Sequence, residues 1–277
     1  EADMENLVSF LRVHALDGLV PLSLQGEAVS RFKQSFRDVE EEILKLGLLP
    51  ERYRKNAQTI TQEDQLRLFR SHAAVIGCGG LGGYVIEELA RIGIGTITVI
   101  DPDTFEEHNL NRQLLATLES LHEPKVQAAA RRVVGINPAV TVIPHQMALS
   151  RENGPDLLKG VQVAVDGLDS ITSRLVLAEV CEGQSIPLVH GSIAGWYGQV
   201  TTQYPEDRTL QTIFSGHTSD QGIEQILGNP SFLPAFVASL ETAEAVKILL
   251  GQGTSLRGRL MTIDLLDMEI AVLPING

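Results

Sequence analysis

The run Gly77-Cys78-Gly79-Gly80-Leu81-Gly82-Gly83 follows a short apolar stretch and fits the spacing G-x-G-x-x-G. Glycines there let backbone N–H groups come close to a phosphate, and the helix that starts at the run adds a favourable partial positive charge. Asp101 ends the next apolar stretch, where a carboxylate can hold the hydroxyls of a ribose. A tight strand-to-helix turn is the plainer reading of the glycines, but the strand before, the helix after and the downstream acid together point to a nucleotide. This much admits NAD as readily as ATP.

The residues downstream separate the two. Asp101-Pro102-Asp103 leads into His108-Asn109-Leu110-Asn111-Arg112-Gln113, and Glu123-Pro124-Lys125 then starts another helix. Arginine can clamp phosphate oxygens with two parallel bonds and lysine adds a point charge beside them, which suits a triphosphate and serves no evident need of a dehydrogenase. Ordinary solvated cations are the competing reading of Arg112 and Lys125. Asp166-Gly167-Leu168-Asp169 falls just beyond a fourth apolar stretch. Mg²⁺ takes one or two carboxylates plus phosphate oxygens, so Asp169 is the candidate metal residue and Asp166 a supporting or capping one. Both could instead only cap the helix that starts at Ser170, and Arg174 could pair with either.

Such groups need a frame. From Ala73 onward short apolar runs alternate with helical segments, the pattern of a parallel sheet wrapped by helices. Strands are expected at 73–76, 96–100, 140–143, 161–165 and 186–189, with helices at 82–92, 124–136 and 171–181. Two strands at 197–204 and 259–265, flanking a helix at 234–250, read as an antiparallel continuation. Upstream, Val29, Phe32, Phe36, Val39, Ile43 and Leu46 recur at helical spacing, a shorter helix surrounds Leu7, Phe10, Leu11 and His14, and Thr61 with Asp64 marks a helix start before Phe69. The expected fold is α/β, with a Rossmann-like doubly wound sheet, mainly parallel and continued by antiparallel strands. A helical extension over 1–50 precedes a nucleotide-binding unit over 51–277.

The 277 residues allow one large domain or two modest ones. Thirty-five acidic residues against 22 Lys and Arg leave −13, which disfavours general nucleic-acid binding. The acidic start and the lack of any long apolar run argue against a membrane span. Two cysteines, Cys78 and Cys181, are too few for a disulfide framework or a four-cysteine zinc site, and suit a reducing cytoplasm. Cys181 shares a face with Ile171, Leu175 and Ala178 and reads as an inert buried thiol, and Cys78 as a small filler in the glycine loop.

Five ordered motifs now stand in the chain: Arg-Tyr-x-x-Asn at 52–56, GxGGLG, D-x-D followed by N-L-N-R-Q, P-K-V and D-x-x-D. In these the chain resembles the MoeB, ThiF and HesA adenylyltransferases, which activate ubiquitin-like sulfur carriers and are cousins of ubiquitin-activating enzymes. The resemblance covers about residues 52–273. It implies that Gly77, Gly79, Gly80, Leu81, Gly82, Asp101 and Asp103 frame ATP, with Asp101 on the ribose. Asn109, Arg112, Gln113 and Lys125 would then meet the phosphates, and Asp169 the Mg²⁺. It further implies a homodimer in which Lys55 or Arg54 reaches the neighbouring protomer's ATP. The family's arginine stands where this chain has Lys55, and Ser170 replaces the usual Asn.

The partner implied is a small carrier ending in Gly-Gly, whose terminal carboxylate becomes an acyl adenylate. Zinc is not expected, because no cysteine follows residue 181 to supply the family's paired Cys-x-x-Cys ligands. The crossover segment 204–234 likewise lacks the cysteine that thioester-forming relatives carry; His190, Trp196 and His217 are the notable residues near it. Activation of a small-molecule or tRNA-base carboxylate, or a non-catalytic nucleotide-binding module, are the alternatives.

Overall fold

The computed structural model describes residues 6–215 and 227–275; His217 lies outside them. The β-branched runs of the sequence form parallel strands, β3 (His72–Ile76), β4 (Thr96–Ile100), β5 (Thr141–His145), β6 (Val163–Asp166) and β7 (Leu188–Ala194), all largely buried except β5 at the sheet edge. β8 (Tyr197–Gln203), β9 (Arg259–Asp264) and β10 (Glu269–Pro274) extend the sheet antiparallel. The order across it is β10-β9-β8-β7-β6-β3-β4-β5. β3 thus has β4 on one side and β6 on the other. The winding reverses there, and open parallel sheets bind ligands outside the carboxyl ends of strands at such a point. The expected sheet class is found, with β7 running five residues beyond the predicted end at Val189.

Each face is covered by apolar helices. α5 (Gly80–Ile92), α6 (Lys125–Ile136) and α10 (Phe232–Leu250) set Val85, Leu89, Val126, Val133 and Val237 against Val75, Val99 and Val165. On the opposite face α8 (Ile171–Gly183) packs Leu177, Ala178 and Cys181 on Ala74, Ile76 and Ala164. α7 (Gly154–Leu157) and α9 (Thr209–Ile213) lie against α8. No described helix is long and apolar enough to cross a membrane.

Ahead of the sheet sits an arm of α1 (Leu7–His14), α2 (Leu22–Phe32) and α3 (Phe36–Lys45), tied by a parallel pair of two-residue strands, β1 (Leu19–Val20) and β2 (Leu49–Pro50). Phe10, Leu11, Ala28, Val39 and Ile43 form its own small core. The sequence pattern suggested one helix from Val29 to Leu46, and the structure corrects this to two. Lys33 turns left-handed at φ +53°, and Ser35 starts α3 in a capping box with Asp38. The matching box at Thr61 and Asp64 opens α4 (Gln62–Phe69) as expected.

The arm docks on the sheet unit through a buried polar hub. Glu40 of α3 is fully buried. Tyr53 Oη donates to its Oε1 (2.7 Å), Arg52 pairs with it, and Asn137 Nδ2 donates to Tyr53 Oη (2.7 Å). Burial raises the Glu40 pKa, with Arg52 and Tyr53 pulling against it. Around this hub, Leu44, Leu49, Phe69 and Ala139 join arm and sheet unit in one apolar cluster.

Candidate nucleotide site

At the carboxyl ends of β3, β4 and β6 a cavity of about 430 Å³ opens, a size that suits a small-molecule ligand. Gly77, Gly79, Gly80 and Leu81 form one wall, Arg112, Gln113 and Lys125 another, and Asp101, Asp103 and Asp169 project from the strand ends between them.

The glycine loop is held by close backbone approach. Gly77 has φ +94°, and its amide donates to Ile100 O (2.8 Å). A Cβ at Gly77 would collide with the Gly167 carbonyl, and one at Gly82 with the Gly77 carbonyl. Gly82 is therefore a packing glycine that lets α5 start tightly, and it does not line the cavity. Cys78 turns its side chain into the core, as expected of a filler.

Asp101 is 5% exposed. Its Oδ2 accepts from the Cys78 amide (2.7 Å) and its Oδ1 from the Asp103 amide (2.8 Å), which fixes the carboxylate at the loop. Burial raises its pKa, opposed by Lys125. Lys125 opens α6, is buried and lines the cavity, and its Nζ donates to Asp103 Oδ2 (3.0 Å). Arg112 is half-buried, with Nη1 donating to Asn111 Oδ1 (2.8 Å). Gln113 is buried beside Gly79, and its Oε1 has no hydrogen-bond partner among the described residues. Asn109 does not reach the cavity: its Oδ1 accepts from the Glu106 amide (2.9 Å) and closes the turn that carries Arg112.

The D-x-x-D turn divides its two acids. Asp169 is exposed and lines the cavity. Asp166 is fully buried below it, accepting from Leu168 N (2.9 Å) and from His190 Nδ1 (2.7 Å). Neither acid caps α8, because Ser170 takes that place by accepting from the Ser173 amide. Arg174 donates to Leu168 O (2.8 Å), and its Nε stands 3.8 Å from Asp166. His190 is fully buried, which lowers its pKa against the pull of Asp166. It cannot touch a ligand in the cavity.

Arg54 and Lys55 are exposed and lie outside the cavity wall of their own chain. Sequence reasoning overlooked Met147, Ala148 and Leu149, which follow β5 and close the apolar end of the cavity with Ile76, Ile100 and Pro102. The rule that ligands lie past strand ends could have found them, since β5 ends at His145. Gly167, Leu168 and Arg174 of the D-x-x-D turn and the helix after it line the cavity too, and Ser173, Ile193 and Asn229, which no motif marks, complete the lining.

The ThiF family model matches residues 53–276. The SAMP-activating enzyme E1 of Haloferax volcanii is 36% identical over 217 residues, 76% of this chain and 79% of that protein. The sulfur carrier protein adenylyltransferase of Thermus thermophilus is 33% identical over 222 residues, 77% and 82% of the two chains. Among solved structures, E. coli MccB with ATP superposes with a TM-score of 0.68 at 19% identity, covering 93% of this chain and 80% of that one. E. coli TcdA with AMP does so with 0.62 at 23% identity, covering 73% and 95%. These two likenesses concern the fold. With the glycine loop, the N-L-N-R-Q run and the D-x-x-D turn meeting at one cavity inside the matched stretch, the chain belongs to the ThiF family.

Proposed function

We propose that this protein is an adenylyltransferase that uses ATP to activate the C-terminal glycine carboxylate of a small ubiquitin-like sulfur carrier ending in Gly-Gly. One observation carries the reading: Arg112, Gln113 and Lys125 converge on the cavity that the glycine loop and Asp169 also line. A dinucleotide has no use for so much positive charge beside its second phosphate, whereas a triphosphate does. The buried, unpartnered Gln113 Oε1 at the same wall has the hydrogen-bonding capacity of a ligand contact. Names of relatives support the substrate class, being a sulfur carrier protein adenylyltransferase and a SAMP-activating enzyme.

Base and sugar occupy the end formed by Met147, Ala148 and Leu149, with the ribose on Asp101. Glycine-loop amides, Arg112, Gln113 and Lys125 take the phosphates, and Asp103 keeps Lys125 aimed at them. Asp169 suits magnesium: it is one exposed hard-oxygen donor, and no group of three or more metal-ligating side chains exists among the described residues. Phosphate oxygens and water would complete such a site. The ion supplies charge neutralisation at the phosphates. A carrier carboxylate oxygen attacks the α-phosphorus, the bond from that phosphorus to the bridging oxygen breaks, and pyrophosphate leaves with the electron pair. Catalysis is positioning and neutralisation by Arg112 and Lys125, with no protein nucleophile.

The protein acts as a homodimer, with Lys55 or Arg54 completing the partner protomer's site. Two exposed cations next to a firmly anchored Arg52 and Tyr53 support this. Exchange of labelled pyrophosphate into ATP tests the function. Exchange is expected only when a Gly-Gly carrier is added, and none with a carrier lacking its last glycine. Exchange with a small-molecule carboxylate in place of the carrier would favour a small-molecule substrate, and none under any condition a non-catalytic module.

A further inference from the structure

We infer that His190 is a positioning residue: through Asp166 it holds the turn 166–169 so that the Asp169 carboxylate faces the nucleotide cavity. The inference rests on the proposed role of Asp169 as the metal carboxylate.

Asp166 and His190 are Cα partners in the parallel register of β6 and β7, and both point to the face covered by α8. Each is fully buried. A carboxylate there is costly unless donors surround it, and its oxygens have three within reach. Leu168 N donates to Oδ1 (2.9 Å), His190 Nδ1 to Oδ2 (2.7 Å), and Arg174 Nε stands 3.8 Å from Oδ2. Gly167 N donates to Ile76 O (2.7 Å), and Arg174 Nη2 to Leu168 O (2.8 Å). Every residue between Asp166 and Asp169 is therefore pinned by a bond, and the last residue projects freely into the cavity.

His190 is the one member of this set that neither belongs to the turn nor lines the cavity. Its ring stands edge-on to Phe214 at 5.6 Å and 86°, which fixes the imidazole plane. With Nδ1–H spent on Asp166, Asp166 keeps one rotamer. A side chain without that donor leaves a buried carboxylate oxygen short of a partner, and the cheapest repair is for Asp166 to turn toward Arg174 and pull Leu168 with it. Partners of this kind behind a metal ligand typically change metal affinity by about 10–100-fold.

The test measures Mn²⁺ uptake by electron paramagnetic resonance, in full-length protein saturated with an ATP analogue that has a methylene between its α- and β-phosphorus. His190→Leu removes the donor, whereas His190→Asn keeps an N–H near the position of Nδ1. The expected result is Mn²⁺ affinity lowered by about 10-fold or more in His190→Leu, near wild type in His190→Asn, and analogue affinity without Mn²⁺ unchanged in both. Unchanged Mn²⁺ affinity in His190→Leu overturns the inference, as does equal weakening in His190→Asn. Where His190→Leu fails to fold, His190→Gln replaces it, because its amide lies one bond farther out and should also bind Mn²⁺ weakly; wild-type affinity there overturns the inference too. Asp169→Ala separates the two levels. If it binds Mn²⁺ as wild type does, the metal reading is wrong and the inference falls with it; if it alone loses Mn²⁺, only the role of His190 fails.

Discussion

Arg112 and Lys125, together with one of Arg54 and Lys55, were expected around one triphosphate, and the fold treats the two pairs differently. Arg112 and Lys125 stand on elements that leave β4 at the switch point, and both line the cavity. Arg54 and Lys55 follow a turn whose Arg52 and Tyr53 are locked onto Glu40 and Asn137, so their own position is set by the arm and they stay in solvent. The difference teaches that a motif residue reaches a site through topology, and that charge alone does not bring it there. The inner pair can act within one chain. The outer pair does not line the cavity of its own chain.

The comparison is tested hardest at the inner set. Removing one preorganised charge from phosphates costs on the order of 10²–10³ in rate, so Asp169→Ala and Lys125→Ala should each abolish measurable adenylate formation while melting near wild type. Activity within a few-fold of wild type in Lys125→Ala would return that residue to the solvated cations. For the outer pair, Lys55→Ala should be nearly inactive too, and here subunit mixing sharpens the contrast. If the finger acts across a dimer, mixing Lys55→Ala with Asp169→Ala in equal amounts should restore roughly a quarter of wild-type activity, because half the random pairs are hybrids with one intact site. No recovery despite demonstrated subunit exchange would remove the outer pair from the partner's site, and an inactive Arg54→Ala beside an active Lys55→Ala would name Arg54 as the finger.

A smaller effect is expected where the arm meets the sheet. Breaking a buried ion pair by removing one partner costs about 3–5 kcal/mol, so Glu40→Ala should lower urea-unfolding stability by that much, with little change in nucleotide affinity. A loss under about 1 kcal/mol, the worth of an exposed pair, would mean that the hub does not hold the arm in place. Least of all should come from the thiols. Cys78 and Cys181 are buried, and burial raises both pKa values, so neither offers a thiolate. Cys78→Ala with Cys181→Ala should leave adenylate formation intact; a stable thioester to the carrier that disappears in either variant would contradict this.

The sheet was legible because Ala73–Ile76 and Val163–Val165 are apolar on both faces and Thr96–Ile100 is β-branched throughout, which in a chain of this length means burial between helices. What escaped notice was local: Lys33 enters the left-handed region and Ser35 restarts the helix, a break that hydrophobic spacing across Phe32 and Phe36 conceals. Of the residues that line the cavity, Asp101, Arg112, Lys125 and Asp169 carry a chemical signature that can be read in the sequence. Met147, Ala148 and Leu149 were missed, because an apolar wall carries no signature beyond its place after a strand. Asn109 and Gly82 belong to the motifs and yet serve the backbone, since spacing cannot tell a residue that touches a ligand from one that shapes the turn beside it. Asp166 was found and its environment was not: nothing in the sequence announces that His190, 24 residues later, is its neighbour across the sheet.

The cavity as a triphosphate site is the claim on which the rest depends, and calorimetry tests it most directly. Wild-type protein titrated with ATP and Mg²⁺ should bind with micromolar affinity and show no heat with NAD, and Arg112→Ala with Lys125→Ala should lose the ATP signal. Micromolar NAD binding with no ATP binding would contradict it.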